Sequence, residues 1–498
     1  MFATIWRAHW GLQQDPFAGE DADKDTLLDE VDLSCVHSGF DRLFGSTKSP
    51  APGVVFGEKG SGKSGLRRMM RRKLSKLEEE RPEERVLAVE YADFDGFLEC
   101  AGRAVGASGE GEKAAKKTLD AWRTADHLDA LLSLSVTELV ERALGDEKQA
   151  QVLRGLPRKQ RLELLLMTAL YHHAPGRTLP EACAAMGRSL KLHSLRAFWM
   201  NALVWSLSAL SVALVALPFL GPWDLPRTLF FWLGALCAAG TWGARTWGRL
   251  RLRAQAERAS RSVRVLPPRP EPLSEFVSSL APRERAELNL PEGGEEATRF
   301  ESLRKLIDLL EQVGCRGLWV LVDRIDEPAL LAGDATRMAR FVESLLDIKL
   351  LQFPGLALKL FLPVELEYLE RSSGPEARKR MRLDKSNLVP LLEWSGEELY
   401  AVACQRMAAC TAAGEEPVEL AELFGSDVGA DALYDTLHRL GTPRYAFGFL
   451  AGVLSEHARA LPPELDQDDP RWRVPRHVFD PQRALWLSRT GELRRALN

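Results

Sequence analysis

The chain of 498 residues has no charge bias: 66 Lys and Arg stand against 70 Asp and Glu, a net charge of −4. That balance excludes a strongly basic nucleic-acid coat or an acidic tail protein as its overall character. Paired cysteines are missing too. Cys35, Cys100, Cys183, Cys237, Cys315, Cys404 and Cys410 are scattered without a CxxC spacing, so neither a disulfide framework nor a zinc module is expected, and a reducing cytosol is the simpler setting. The opening MFATIWRAHWGLQQDPF holds no apolar run of signal-peptide length, so no cleaved leader is expected. What remains is ordinary globular material, 45% hydrophobic and 27% charged, with enough apolar residues for a sizeable core. At about 100–200 residues per domain, the length suggests two to four structural units.

Charge is also missing locally. No charged side chain occurs from Phe198 to Trp223, a run longer than the roughly 20 apolar residues that cross a bilayer. After Asp224, Pro226 and Arg227, the run from Thr228 to Ala244 is again uncharged, and Gly234, Ala235, Ala238, Ala239 and Gly240 offer small faces for close helix packing. Trp199, Trp223, Trp232, Trp242 and Trp247 sit where an interfacial belt would place them. Arg188, Lys191 and Arg196 precede the first span, and Arg245, Arg249, Arg251, Arg253, Arg258, Arg261 and Arg264 follow the second. The expectation is a transmembrane helical hairpin with both flanks in the cytoplasm.

Before the hairpin, the apolar segment Pro52–Phe56 reads as a buried strand running into Gly57-Glu58-Lys59-Gly60-Ser61-Gly62-Lys63-Ser64 and a helix-prone stretch. The pattern is GxxxxGKS. Its glycines let backbone N–H groups curl around phosphates, the helix N-terminus adds a favourable dipole, Lys63 reaches the β and γ phosphates, and Ser64 binds Mg²⁺. A working ATPase also needs an apolar strand ending in acids. Beyond the hairpin, Gly317–Val322 runs into Asp323-Arg324-Ile325-Asp326-Glu327, after an amphipathic helix from Phe300 to Val313. Asp323 is the expected Mg²⁺ ligand through water, and either Asp326 or Glu327 orients or deprotonates the attacking water. Further strands are expected at Arg85–Tyr91, Leu356–Leu362 and Asn387–Leu391, giving an α/β core with a parallel sheet. Gly441-Thr442-Pro443-Arg444 opens another helix, and Arg444 is placed to reach the γ phosphate.

Together these residues resemble the AAA+ and STAND branches of P-loop ATPases. Trp10-Gly11-Leu12 with Asp15-Pro16-Phe17 is similar to the segment that leads into their nucleotide site, and Gly441-Thr442-Pro443-Arg444 is similar to the turn that opens their helical lid. Two membrane helices between the phosphate loop and the acidic motif resemble the KAP family of membrane ATPases, whose bacterial members include phage-exclusion proteins. The resemblance covers residues 10–92 and 300–455. It implies a P-loop NTPase sheet with a helical lid, a helical insert and a two-helix transmembrane hairpin, using ATP and Mg²⁺. The acidic motif departs from the family's DDLDR, and no polar sensor follows Leu356–Leu362, where Pro363, Val364 and Glu365 stand. Arg378, Arg380 or Arg382 is the candidate arginine offered to a neighbouring subunit.

The expected organisation is residues 1–92 as the first part of the core, 93–196 as a helical cytoplasmic insert and 197–248 as the hairpin. Residues 249–299 are expected as a basic and Pro-rich linker, 300–394 as the second part of the core, 395–460 as the lid and 461–498 as a tail. His172 and His173 point to different helix faces without nearby acidic partners, which argues against a metal site. The segment beyond the lid is short for a winged-helix module, so DNA is disfavoured as a partner. The leading expectation is an ATPase in the cell inner membrane, multi-pass with its ATPase domain cytoplasmic, coupling ATP to homo-oligomerisation or to signalling towards a protein partner, with phage defence implied by the resemblance. The alternatives are an ATP-triggered membrane pore and a DNA-linked loader ATPase.

Overall fold

The computed structural model describes residues 2–19, 22–30, 37–107, 111–192, 195–220, 227–288, 295–367, 387–462 and 464–497. The chain divides into two compact units, Met1–Asp93 with Arg316–Asn498, and Phe94–Cys315. The first unit is α/β. Its five strands are β1 (Gly53–Gly57), β2 (Leu87–Tyr91), β3 (Leu318–Val322), β4 (Leu356–Pro363) and β5 (Asn387–Val389). They form one sheet in the order β2-β3-β4-β1-β5, with every pairing parallel. The strands are near-continuous runs of Val, Leu, Phe and Trp, and β1, β3 and β4 are buried along their whole length, as a parallel sheet covered on both faces requires.

One face of the sheet packs Val55, Trp319, Leu321 and Phe361 against Leu66, Met69, Met70 and Leu74 of the helix Lys63–Glu80. Lys359 lies inside this layer, fully buried, donating to the carbonyls of Leu43 (2.8 Å) and Phe44 (2.9 Å) with its ammonium 4.7 Å from the Trp319 ring centroid. Burial pulls its pKa down to about 7. A second apolar cluster joins the helices Gly396–Cys410, Gly429–Leu440, Pro443–Ala460 and Arg476–Leu497 through Leu399, Leu437, Phe449, Leu450 and Phe479. The N-terminus belongs to it: Trp6 is buried and donates to the Trp472 carbonyl at 3.0 Å, and Gln13 donates to Cys410 at 2.8 Å. The segment expected as a tail thus carries a helix packed on its neighbour, with the Trp486 ring against Gly448, where a Cβ would meet it at 2.4 Å.

The second unit is helical. Thr124–Gly145 is buried along most of its length, and its Asp129 pairs with Arg299 (3.1 Å) and accepts from the Tyr171 hydroxyl (3.1 Å). Arg299 lies in the first turn of the helix Glu296–Gln312, whose residues from 300 onward were expected to belong to the second part of the core; here this helix packs with the insert. Residues 249–299 differ from an expected linker in the same way. They finish the helix Arg227–Ser262 and form Pro270–Ser279, whose Leu273, Phe276 and Val277 are buried, because a proline at the first helical position suits a helix start. His172 corrects another expectation: its ring Nε2 lies 3.0 Å from Glu141, an acidic partner on the helix Thr124–Gly145.

The two uncharged runs lie on the helices Leu195–Leu220 and Arg227–Ser262, which pack together. Their backbones approach closely at Gly234, where a Cβ would stand 2.8 Å from the Ser211 carbonyl, and the Ser211 hydroxyl donates to the Gly234 carbonyl at 2.6 Å. Among the described residues, no helix is long and apolar enough to cross a membrane. The expected turn, residues 221–226, lies outside the described residues.

Candidate functional site

At the carboxyl end of β1 the chain turns tightly before the helix Lys63–Glu80. Gly60 (φ +89°) and Gly62 (φ +93°) take left-handed backbone that a side chain would strain. A Cβ on Gly60 would lie 2.8 Å from the Cβ of Arg444, and one on Gly57 would lie 2.4 Å from the Ser61 hydroxyl. The loop is clamped from outside by Trp394, whose indole donates to the Ser61 carbonyl at 2.7 Å, and by Arg444, whose N–H donates to Gly60 at 3.3 Å. Lys63 folds back across the loop and donates to the carbonyls of Gly57 (2.6 Å) and Glu58 (3.0 Å).

Beside this loop opens a cleft of about 470 Å³, the size of a small-molecule site. Lys59, Gly60, Gly62, Lys63, Ser64, Asp323, Asp326, Glu327 and Arg444 line it, with apolar surface from Leu28, Leu66, Met69, Val402 and Phe447. The fold thus brings together residues from the glycine loop, the acidic turn after β3 and the Gly441–Arg444 turn. Gly57, Glu58 and Ser61 shape the loop without lining the cleft. Arg378, Arg380 and Arg382 lie outside the described residues.

The charges are arranged around Lys63. Desolvation lowers its pKa, the neighbouring Asp326, Asp323 and Glu365 hold it up, and Arg444 lowers it further. Glu365, standing where a polar sensor was sought, therefore contributes charge to the site. Asp326 is the strongest acidic influence on Lys63, whereas Glu327 is 58% exposed and paired with Arg324 at 3.5 Å.

Asp323 is buried, and that burial raises its pKa against the opposing effects of Arg67, the Ser64 hydroxyl and the Arg324 N–H. Its Oδ2 is buried without a hydrogen-bond partner, 3.6 Å from the Arg67 guanidinium. A hydroxyl and a carboxylate in contact, with acceptor capacity to spare, are the hard oxygen donors that Mg²⁺ takes, so the residues fit that ion. No group of three His, Cys, Asp or Glu side chains suited to a metal occurs among the described residues. A cation here would complete its shell with phosphate oxygens and water, as Mg²⁺ does.

Three arginines bear on the site, and two of them, Arg67 and Arg406, lie outside its sequence motifs. Arg67 lies one turn into the helix Lys63–Glu80, buried, with Asp23, Glu90 and Asp323 around it. Arg406 is buried, donates to the Pro16 carbonyl (2.6 Å) and Asp25 (2.6 Å), and stands 5.0 Å from the Phe447 ring centroid. Arg324 adopts φ +61°, a left-handed conformation costing a non-glycine residue on the order of 1–3 kcal/mol. Its place directly after the acidic strand was the available signal. No protein-family model matches the chain, and no curated protein or solved structure matches it.

Proposed function

We propose that the cleft binds ATP with Mg²⁺ and hydrolyses it. The observation that carries this reading is the convergence of Lys63, Ser64, Asp323 and Asp326 on one cleft beside a left-handed glycine loop. Lys63 would exchange its carbonyl partners for β and γ phosphate oxygens, whose charge restores the ammonium that burial disfavours. Ser64 and Asp323 would hold Mg²⁺, which supplies neutralisation of phosphate charge. In the hydrolytic step, water oxygen bonds to the terminal phosphorus and the bond to the β–γ bridging oxygen breaks. ADP leaves with that electron pair, and the water's proton passes to a carboxylate, for which the exposure of Glu327 and its pairing with Arg324 favour Asp326, which also lines the cleft. Arg444, seated on Gly60, would read the terminal phosphate and bias self-assembly towards the ATP state.

The same reading anchors the chain in the inner membrane by its two long helices. Apart from Ile5, Val152, Ile348 and Leu485, the exposed large apolar side chains of the described residues lie on that pair, Trp205, Val212, Trp232, Leu236 and Trp247 among them. Such a surface is far larger than single scattered residues would make and fits lipid. The hydroxyls of Ser208, Ser211, Thr241 and Thr246 are bonded to backbone carbonyls of the same pair, as an apolar medium requires. The experiment is hydrolysis by the full chain purified from membranes. Asp326→Asn should bind ATP and fail to turn it over, while Glu327→Gln should retain turnover; the reverse pattern exchanges the two roles, and wild-type protein without Mg²⁺-dependent hydrolysis removes the reading.

A further inference from the structure

Asp323 and Arg324 directly follow β3, both line the cleft, and Arg324 takes left-handed backbone there. The arginine guanidinium is held by Asp23 at 2.5 Å and Glu327 at 3.5 Å. Asp23 also pairs with Arg67, which in turn faces Glu90 (3.4 Å) and Asp323 (3.6 Å). The short segment around Asp23 is fixed in place: Arg68 donates to the carbonyls of Ala22 (2.7 Å) and Asp25 (2.9 Å), and Arg406 grips Asp25 at 2.6 Å.

We propose that Arg324 is a catalytic residue that contacts the terminal phosphate of the bound nucleoside triphosphate, and that Asp23 is a positioning residue that holds it aside until the triphosphate enters. The inference rests on the nucleotide-hydrolysing reading of the cleft. Asp23 and Glu327 are both partly exposed, 33% and 58%, so water screens their hold on Arg324. A terminal phosphate in the cleft offers the guanidinium a bidentate, more highly charged acceptor, which is the stronger partner. Arg67 keeps Glu90 and Asp323 when Arg324 leaves Asp23, so the exchange strands no buried cation. Charge spreads over the terminal phosphoryl oxygens during transfer, and an arginine supplied within the chain stabilises it. Diphosphate lacks that group, so Arg324 would return to Asp23 after hydrolysis.

The test uses the full chain in detergent, measuring ADP affinity, ATP affinity and single-turnover hydrolysis. Arg324→Ala should keep ADP affinity within about twofold and lose hydrolysis by at least about 100-fold. Asp23→Asn should raise both hydrolysis and the ATP-over-ADP preference several-fold, and the double variant should match Arg324→Ala, because Arg67 keeps Glu90 and Asp323 and the clasp acts on hydrolysis through Arg324. Wild-type hydrolysis by Arg324→Ala overturns the proposal. A fall in hydrolysis with Asp23→Asn at unchanged ADP affinity overturns the clasp. Should Asp23→Asn fail to fold, Arg324→Ala alone still decides the catalytic assignment. Wild-type protein that binds neither nucleotide would instead sink the reading on which the inference rests, a distinguishable result.

Discussion

Two buried charge clusters, one in each unit, are built from the same residue types and differ in what is left over. In the helical unit, Asp129 takes Arg299 and the Tyr171 hydroxyl, and Arg299 also donates to the Ser262 carbonyl (2.7 Å) and hydroxyl (3.0 Å). The cluster closes on itself. At the cleft, Asp323 keeps an oxygen without a hydrogen bond, Lys63 spends its donors on loop carbonyls, and Asp23 is shared between two guanidiniums. Buried polar groups are costly unless satisfied, so the closed cluster suits a part that holds the fold, while at the cleft the proposed Mg²⁺ would supply the partner that the Asp323 oxygen lacks.

The largest expected effect separates the two clusters by stability. Asp129→Ala leaves Arg299 buried without its carboxylate, which should cost about 3–5 kcal/mol of unfolding free energy, while Asp129→Ala with Arg299→Met should recover much of it. ATP affinity of the folded protein should not change; a loss of affinity in calorimetry would mean that the closed cluster also serves the cleft. Next, Lys63→Ala should reduce hydrolysis by about 10²–10³-fold, the scale for removing one preorganised group opposite developing charge, while thermal unfolding stays near the wild-type midpoint. A large fall in that midpoint with unchanged hydrolysis would make Lys63 a structural residue.

A smaller effect concerns Lys359, whose pKa burial lowers from 10.5 to about 7. Between those values the unfolded chain binds the extra proton, so stability rises with pH, and the cost of the buried ammonium is fullest below about pH 7. Between pH 6 and pH 9 the wild type should gain up to about 3 kcal/mol from this group, and Lys359→Met should lose that slope. An equal slope in both proteins, measured by urea unfolding, would show that the Leu43 and Phe44 carbonyls and the Trp319 ring keep Lys359 charged.

The strands were legible because each is a short apolar run bounded by turn residues: Gly317–Val322 and Leu356–Leu362 differ from β3 and β4 by one residue at an end. Their order in the sheet was not, since apolar runs carry no record of which strand pairs with which. The glycine loop and the acidic turn were legible as motifs because backbone curvature and metal ligation restrict residue type. Arg67, Arg406, Asp23 and Asp25 were not, because they look like ordinary charged positions and their partners lie far away in sequence, as those of Asp25 and Arg406 do. Pro270–Ser279 read as linker because its prolines suggest extended chain, yet proline suits a helix start and Leu273, Phe276 and Val277 bury its apolar face.

The central claim is that the open cluster binds a Mg²⁺-bound nucleoside triphosphate, and the most direct measurement is calorimetric titration of ATP into the full chain with and without Mg²⁺. The expected result is saturable binding with one nucleotide per chain that weakens at least about tenfold when Mg²⁺ is removed, a difference of about 1.4 kcal/mol. Asp323→Asn should bind with the same affinity in both conditions. Equal affinity with and without Mg²⁺ in the wild type, or no saturable binding, would contradict the account.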